Sequence, residues 1–281
     1  MPTNNAQGES QLKITPDQKI EDDHQITDIK LKAEQGSLSK YSLKVILSYS
    51  GPPIGDLSNK RQPNPDGSIG NASTSLGGTI GGRYRFDKET ALSLSTGISA
   101  LTPLHGVERV DIRTPTLTYE QVFRVDEWQF KNAPGVSAVT VPEYIQVGEF
   151  ASLNYDASAY RNLGLSRFKI GTEVSFGYYL YNRSYLAQDR TAVRYNLSFY
   201  PAVKYAATDK LGFYTSLNIS FWNLRTMSNE STMWNKTLSQ RFGLEYALTK
   251  DIYVAPYLNF YPKSLAVDST TINVSTIFSL L

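Results

Sequence analysis

Few side chains in this sequence have the types and spacing that bond-breaking chemistry requires. There are two histidines, His24 and His105, and no cysteine. His105 has Glu108 and Asp111 close by in sequence. No strand-like run carries a histidine, so no hydroxyl nucleophile finds a base within hydrogen-bond reach. Without cysteine there is no thiol nucleophile, no disulfide framework and no Cys-based zinc site. The densest carboxylate group, Glu21-Asp22-Asp23, reads as a solvated tail. Gly77-Gly78 and Gly81-Gly82 fall inside an alternating run, not in a strand-to-helix turn, so they do not make a phosphate loop. No catalytic residue, metal site or cofactor is expected.

The side chains left for function are charges and tyrosines spaced two apart, and that spacing identifies the elements carrying them. From about residue 39 onward the apolar period is 2, the signature of strands. Tyr41, Leu43, Val45, Leu47 and Tyr49 share one face, with Ser42, Lys44, Ile46 and Ser48 opposite. Likewise Phe168, Ile170, Val174, Phe176 and Tyr178 oppose Lys169, Gly171, Glu173, Ser175 and Gly177. Similar runs continue to the end of the chain, where Ile272, Val274, Phe278 and Leu280 alternate with Asn273, Ser275 and Ser279. The runs are about 11 to 16 residues long, whereas soluble sheets favour roughly 5 or 6. A tilted strand needs about 9–11 residues to cross a bilayer.

Composition agrees. Charged residues make up 19% of the chain, below the roughly 25% of an ordinary soluble domain. Mean hydropathy is nevertheless slightly negative. No stretch approaches the ~20 apolar residues of a membrane helix. A net charge of +2 gives no reason to expect a nucleic-acid partner.

Connections between runs alternate in length. Asp87-Lys88-Glu89, Thr208-Asp209-Lys210 and Thr249-Lys250-Asp251 are tight, whereas 51–71, 182–191, 225–235 and 262–268 are long and rich in Pro, Gly or Asn. About eleven runs are clear. An up-and-down barrel with both chain ends on one side needs an even number, and parity fails between residues 125 and 147. Glu127 to Lys131, entered by a turn at Val125-Asp126, supplies a twelfth strand and leaves Pro134 to Pro142 as a long loop. Ten or fourteen strands remain open alternatives, because alternation is weak around Thr114-Pro115-Thr116.

The expected fold is therefore all-β, a transmembrane up-and-down antiparallel barrel of about twelve strands over residues 37–281. Residues 1–36 form a polar tail without aromatic residues. Thr15-Pro16-Asp17-Gln18 is a candidate capping box and Gly36 a candidate helix end. The tail is read as disordered or a short helix, and as a candidate plug of the barrel. No secretory signal stands at the N-terminus, and Met1-Pro2-Thr3 fits a mature chain without its signal segment.

The alternation, the turn asymmetry and a last strand with Phe278 near its end resemble the Gram-negative outer-membrane β-barrels, broadly the porin-like proteins. The resemblance covers about residues 39–281. The chain ends Ile277-Phe278-Ser279-Leu280-Leu281, not on the Phe common in that group, and carries no specific family motif.

The resemblance implies a bacterial outer-membrane location, with membrane lipid, lipopolysaccharide and small solutes as partners and a homo-oligomer as a candidate assembly. It also implies that the polar face lines a lumen. Lys44, Arg83, Arg85, Lys169, Arg194, Lys204 and Arg241 then point inward with Asp156, Glu173 and Glu245. That balance favours anions if the lumen is open; the alternative is a set of structural ion pairs bracing the wall. Arg85, Lys169 and Lys204 fall near the short turns, where solvation at the rim is a further alternative.

Tyr200, Tyr214, Tyr253 and Tyr257 join the inward face, either to stack on sugar rings or to fill a narrow lumen. Tyr41, Tyr49, Tyr84, Phe86, Phe168, Tyr178, Tyr205, Phe213, Phe221 and Tyr246 are placed on the outer face as interfacial girdles. Outward Thr114, Thr116 and Thr118 are a candidate subunit contact, and loop 51–71 a candidate constriction. Three functions follow: a passive channel for small hydrophilic solutes, a closed scaffolding barrel, or a tail-threaded autotransporter-like barrel.

Overall fold

The computed structural model describes residues 26–164, 166–184, 186, 189, 192–227, 229, 232–249 and 251–280. The strands are β1 (Tyr41–Pro53), β2 (Arg61–Pro63), β3 (Ile69–Ser73), β4 (Ser75–Arg85), β5 (Thr90–Leu101), β6 (Arg109–Val125), β7 (Trp128–Ala138), β8 (Glu149–Asn162), β9 (Phe168–Tyr181), β10 (Val193–Ala206), β11 (Leu211–Leu224), β12 (Trp234–Ala247), β13 (Ile252–Phe260) and β14 (Thr271–Leu280). Twelve of them, all but β2 and β3, form one closed antiparallel barrel. Each pairs with its neighbour in sequence order, and β14 returns to β1 with Leu43 opposite Leu280 and Ser50 opposite Asn273. Closure leaves no unpaired edge, which a barrel surrounded by lipid requires.

The short turns are built by local side chains. Asp87 accepts from the N–H groups of Glu89 and Thr90, and Thr208 accepts from those of Lys210 and Leu211. Asp126 adopts φ 53° in the connection between β6 and β7, a left-handed conformation that Asp tolerates. The third expected tight turn, Thr249-Lys250-Asp251, lies partly outside the described residues.

The missing strand is β7, and it runs further than expected. Pro134 to Ala138 pair with β8, so the segment read as a loop from Pro134 is strand up to Ala138. The long connection is 139–148, and it holds helix α2 (Pro142–Gln146). Proline at position 134 was the misleading signal. It lacks a donor, but faces Tyr155 within an otherwise continuous register.

A second correction concerns β6. The register with β5 shifts between Thr96, opposite Pro115, and Ile98, opposite Ile112. One extra residue on β6 makes a bulge, and a shift of one residue exchanges the two faces. Thr116 and Thr118 therefore face the lumen, where Thr116 and Ser137 hydroxyls are 2.8 Å apart. Pro115, Leu117 and Tyr119 take the outer face. The threonine patch expected as a subunit contact is thus absent from the outer wall.

The loop between β1 and β4 folds on itself as the β2–β3 hairpin. It is tied to adjacent loops by Ile54 N–H to Thr270 O, Gly55 N–H to Val267 O and a 3.0 Å contact of His105 Nε2 with Leu57 O.

Ahead of the barrel, helix α1 (Ile29–Gln35) is capped by Asp28, whose side chain accepts from the Leu31 N–H. It ends at Gly36 with φ 61°, the left-handed position that glycine occupies without strain. The proposed capping box at Thr15-Pro16-Asp17-Gln18 lies outside the described residues.

Candidate functional site: the barrel lumen

Side chains pointing into the barrel come from every second residue, so paired strands place small polar groups side by side. At the middle of the lumen they are Ser, Thr, Gly and Asn. A cavity of about 400 Å³ is lined there by Thr79, Ser93, Ser95, Thr118, Asn154 and Ser175, among others. Lys44, Glu120, Lys131 and Asp156 bring charge to the same cavity.

Nearer the short turns the inward face changes character. Val122, Tyr160, Ala202, Tyr253, Ala255 and Ile277 are buried and largely apolar. They receive α1. Ile26 and Leu31 pack with Val122, Tyr160 and Ala202, while Ile29 and Ala33 pack with Tyr253, Ala255 and Ile277. The helix therefore sits inside the barrel at its short-turn end, touching walls on opposite sides.

Charge holds it there. Lys204 donates to both Asp28 carboxylate oxygens at 3.1 Å, and Lys169 Nζ lies 3.8 Å from the same group. Gln129 accepts from the N–H groups of Thr27 and Asp28 at 2.7 and 2.8 Å. Lys30 pairs with Glu173 at 2.6 Å, and Lys131 with Glu34 at 3.1 Å. Arg83 donates to the Glu34 and Gln35 carbonyls at 2.6 Å, and Arg85 donates to Ser37 O at 3.1 Å. Cations at the C-terminal carbonyls match the helix dipole. Burial alone pushes the Asp28 carboxyl up; Lys204, Lys169 and the Leu31 N–H outweigh it and hold the group below its ordinary 3.8.

Every residue assigned to the lumen from the sequence can now be placed. Lys44 and Arg83 share Glu120, at 2.9 and 3.2 Å. Arg85, Lys169 and Lys204 are buried against the tail, not solvated at the rim. Asp156 lines the central cavity, and Glu173 receives Lys30 and the Tyr160 hydroxyl. Arg194 donates to Asn223 near the long loops. Glu245 binds Lys204 at 2.9 Å and accepts from the Tyr253 hydroxyl at 3.3 Å. Arg241 lies between Tyr200 and Tyr257, its guanidinium 5.4 and 5.3 Å from their ring centres, and Tyr214 lines the same cavity.

Sequence reasoning missed Glu120, Lys131 and Gln129 on this face, and missed what the inward alanines meant. Ala202, Ala247 and Ala255 interrupt an otherwise polar face, and that interruption marks the seat of the helix.

On the outer wall the aromatics form two levels. Tyr41, Tyr84, Phe86, Phe168, Tyr205, Phe213 and Tyr246 lie toward the short turns, where Tyr41 with Tyr84, Tyr84 with Phe86, and Phe168 with Tyr205 make ring contacts. Phe123, Trp128 and Phe130, not assigned beforehand, extend this level through stacked pairs. Tyr49, Tyr178 and Phe221 lie toward the long loops with Tyr195, which is paired with Tyr178. Phe168 and Tyr178 are ten residues apart on β9, about 33 Å along the strand and about 25 Å along the normal at a 40° tilt. That is the height of the apolar band of outer-membrane barrels. Exposed residues between the levels, such as Leu94, Leu153, Val203 and Phe242, are apolar.

Closed topology, a polar interior and an apolar belt between two aromatic levels define the class as a transmembrane β-barrel with the fold that outer-membrane porins and channels have. The chain is similar in structure to an outer membrane channel from Pseudomonas putida F1, at 11% identity over 88% of this chain and 98% of that one, with a TM-score of 0.54. It also aligns with the NanC porin, at 10% identity over 85% of this chain and 98% of that one, with a TM-score of 0.46. No family model and no curated protein matches the sequence.

Proposed function

We propose that the protein is a bacterial outer-membrane channel for small hydrophilic solutes, held in a closed state by its own N-terminal segment. The observation that carries this reading is the lumen itself. A polar cavity of about 400 Å³ lies above a helix fastened across the short-turn end by ion pairs. A polar interior of this kind is what a water-filled passage for hydrophilic solutes needs. The channel favours anions: Arg113 and Arg241 face inward without an ion-pair partner among the described residues, against one inward carboxylate in the same position, Asp156. Lipid covers the apolar belt, with lipopolysaccharide around the long-loop end. The inward position of Thr116 and Thr118 removes the basis for the expected homo-oligomer contact.

The test is current through planar bilayers under a tenfold KCl gradient. Stepwise currents whose reversal potential lies on the chloride side are expected. The absence of steps from both the full chain and a chain lacking residues 1–36, each with heat-modifiable gel migration, would overturn the reading. It would favour the scaffold alternative, to which a filled lumen end also lends support.

A further inference from the structure

Arg241 is the one charged group of its cavity left without a counter-charge. The cavity, of about 150 Å³, is also lined by Lys30, Glu173, Lys204 and Glu245. Both carboxylates are used: Glu173 holds Lys30 at 2.6 Å, and Glu245 holds Lys204 at 2.9 Å. Arg241 has only the Tyr200 and Tyr257 rings against it, and its Nε is buried without a hydrogen-bond acceptor. A buried donor without an acceptor is costly, and the half-buried guanidinium that carries it is a planar fork shaped for a carboxylate. Ser48, Ser216, Tyr214 and Ser275 surround the space with hydroxyls. Its volume equals that of roughly five waters, enough for a short carboxylate, and Arg241 also borders a second cavity of about 320 Å³.

We infer that Arg241, flanked by Tyr200 and Tyr257, is a binding subsite for a small carboxylate anion in the lumen immediately above α1. The inference rests on the reading of the barrel as a solute channel. The ligand carboxylate accepts from the guanidinium while its hydroxyl or methyl end meets the serine wall. Lys30 reaches the same cavity from α1, so the floor of the subsite is the internal helix, and the site is complete only while that helix is seated.

The test is calorimetric titration of the full chain, folded in detergent in chloride-free buffer, with sodium acetate and with acetamide, its neutral isostere. Saturable acetate binding is expected, with none for acetamide. Arg241→Gln is expected to weaken acetate at least about tenfold, the loss of one charge-assisted hydrogen bond. Arg241→Lys, which keeps the charge, is expected to fall between the two, and both variants must show the heat-shifted migration of the native barrel. Equal acetate affinity in wild type and Arg241→Gln, or no saturable acetate binding to the wild type, overturns the subsite. Binding is read independently of current. Arg241-dependent binding in a barrel that never conducts sinks the channel and keeps the site; a conducting barrel without it does the reverse.

Discussion

Asp28 is the most buried carboxylate among the groups that fasten the tail to the wall. It caps α1, receives Lys204 and lies near Lys169, and all three side chains are buried. Without the Asp28 carboxylate, Lys204 keeps Glu245 and Lys169 keeps the Thr27 carbonyl, so the cost falls below the ~3–5 kcal/mol of a fully unpaired buried charge. Asp28→Asn is predicted to loosen the helix without unfolding the barrel wall. Protease added from the short-turn side should cut between residues 26 and 36 faster, while heat-modifiable migration stays unchanged.

The same group predicts a pH response. Its folded value is lowered, so the stability it contributes is present in full above its ordinary value of 3.8 and is lost as pH falls through the folded value. Single-channel current should rise as pH drops below about 4, and in Asp28→Asn it should already be raised at neutral pH. A current that rises at no acid pH at which the barrel keeps its heat-modifiable migration would contradict the latch. Lys204 and Lys169 were assignable to the inner face from spacing alone. Their partner was not, because Asp28 is 176 residues away from Lys204 and no local pattern connects them.

Among the elements, β4 shows how the wall closes. Gly78 and Gly82 both point to the outer side, but their surroundings differ. A Cβ on Gly78 would strike the Ile46 carbonyl on β1, whereas one on Gly82 meets nothing within 4 Å. Gly78→Val is predicted to cost about 1–3 kcal/mol or more through overpacking at backbone, and Gly82→Val to be near neutral. Heat-shift temperatures on a gel measure both, and equal losses would remove the close approach as the cause.

Strand identity was legible wherever alternation was regular, as in β1, β9 and β14. It failed where a backbone irregularity reset the phase. The bulge opposite Gly97 turned Thr116 and Thr118 inward, and Pro134 disguised the second half of β7. Neither is visible in side-chain type, since a bulge depends on the hydrogen-bond pattern across two strands. The helix end at Gly36 was readable from glycine, but its position inside the barrel follows from the apolar inward patch formed by Val122, Ala202, Ala255 and Ile277.

For the molecule as a whole, the two faces explain the unusual composition. The outer belt faces lipid and the inner wall is narrow, so charge concentrates in loops and in the pairs that hold α1. The vertical placement is testable through Trp128, stacked on Phe130 at the short-turn level. In a variant carrying Trp222→Phe and Trp234→Phe, lipids brominated near the headgroup should quench its fluorescence more than lipids brominated near the chain ends. Stronger quenching from the chain ends would move the barrel relative to the bilayer and undo the girdle assignment.

The most direct measurement is single-channel conductance of the full chain beside a chain lacking residues 1–36, both reconstituted in planar bilayers at neutral pH. A barrel closed from within by α1 predicts small steps from the full chain and several-fold larger, chloride-leaning steps after truncation. Equal conductance from the two folded proteins would contradict it.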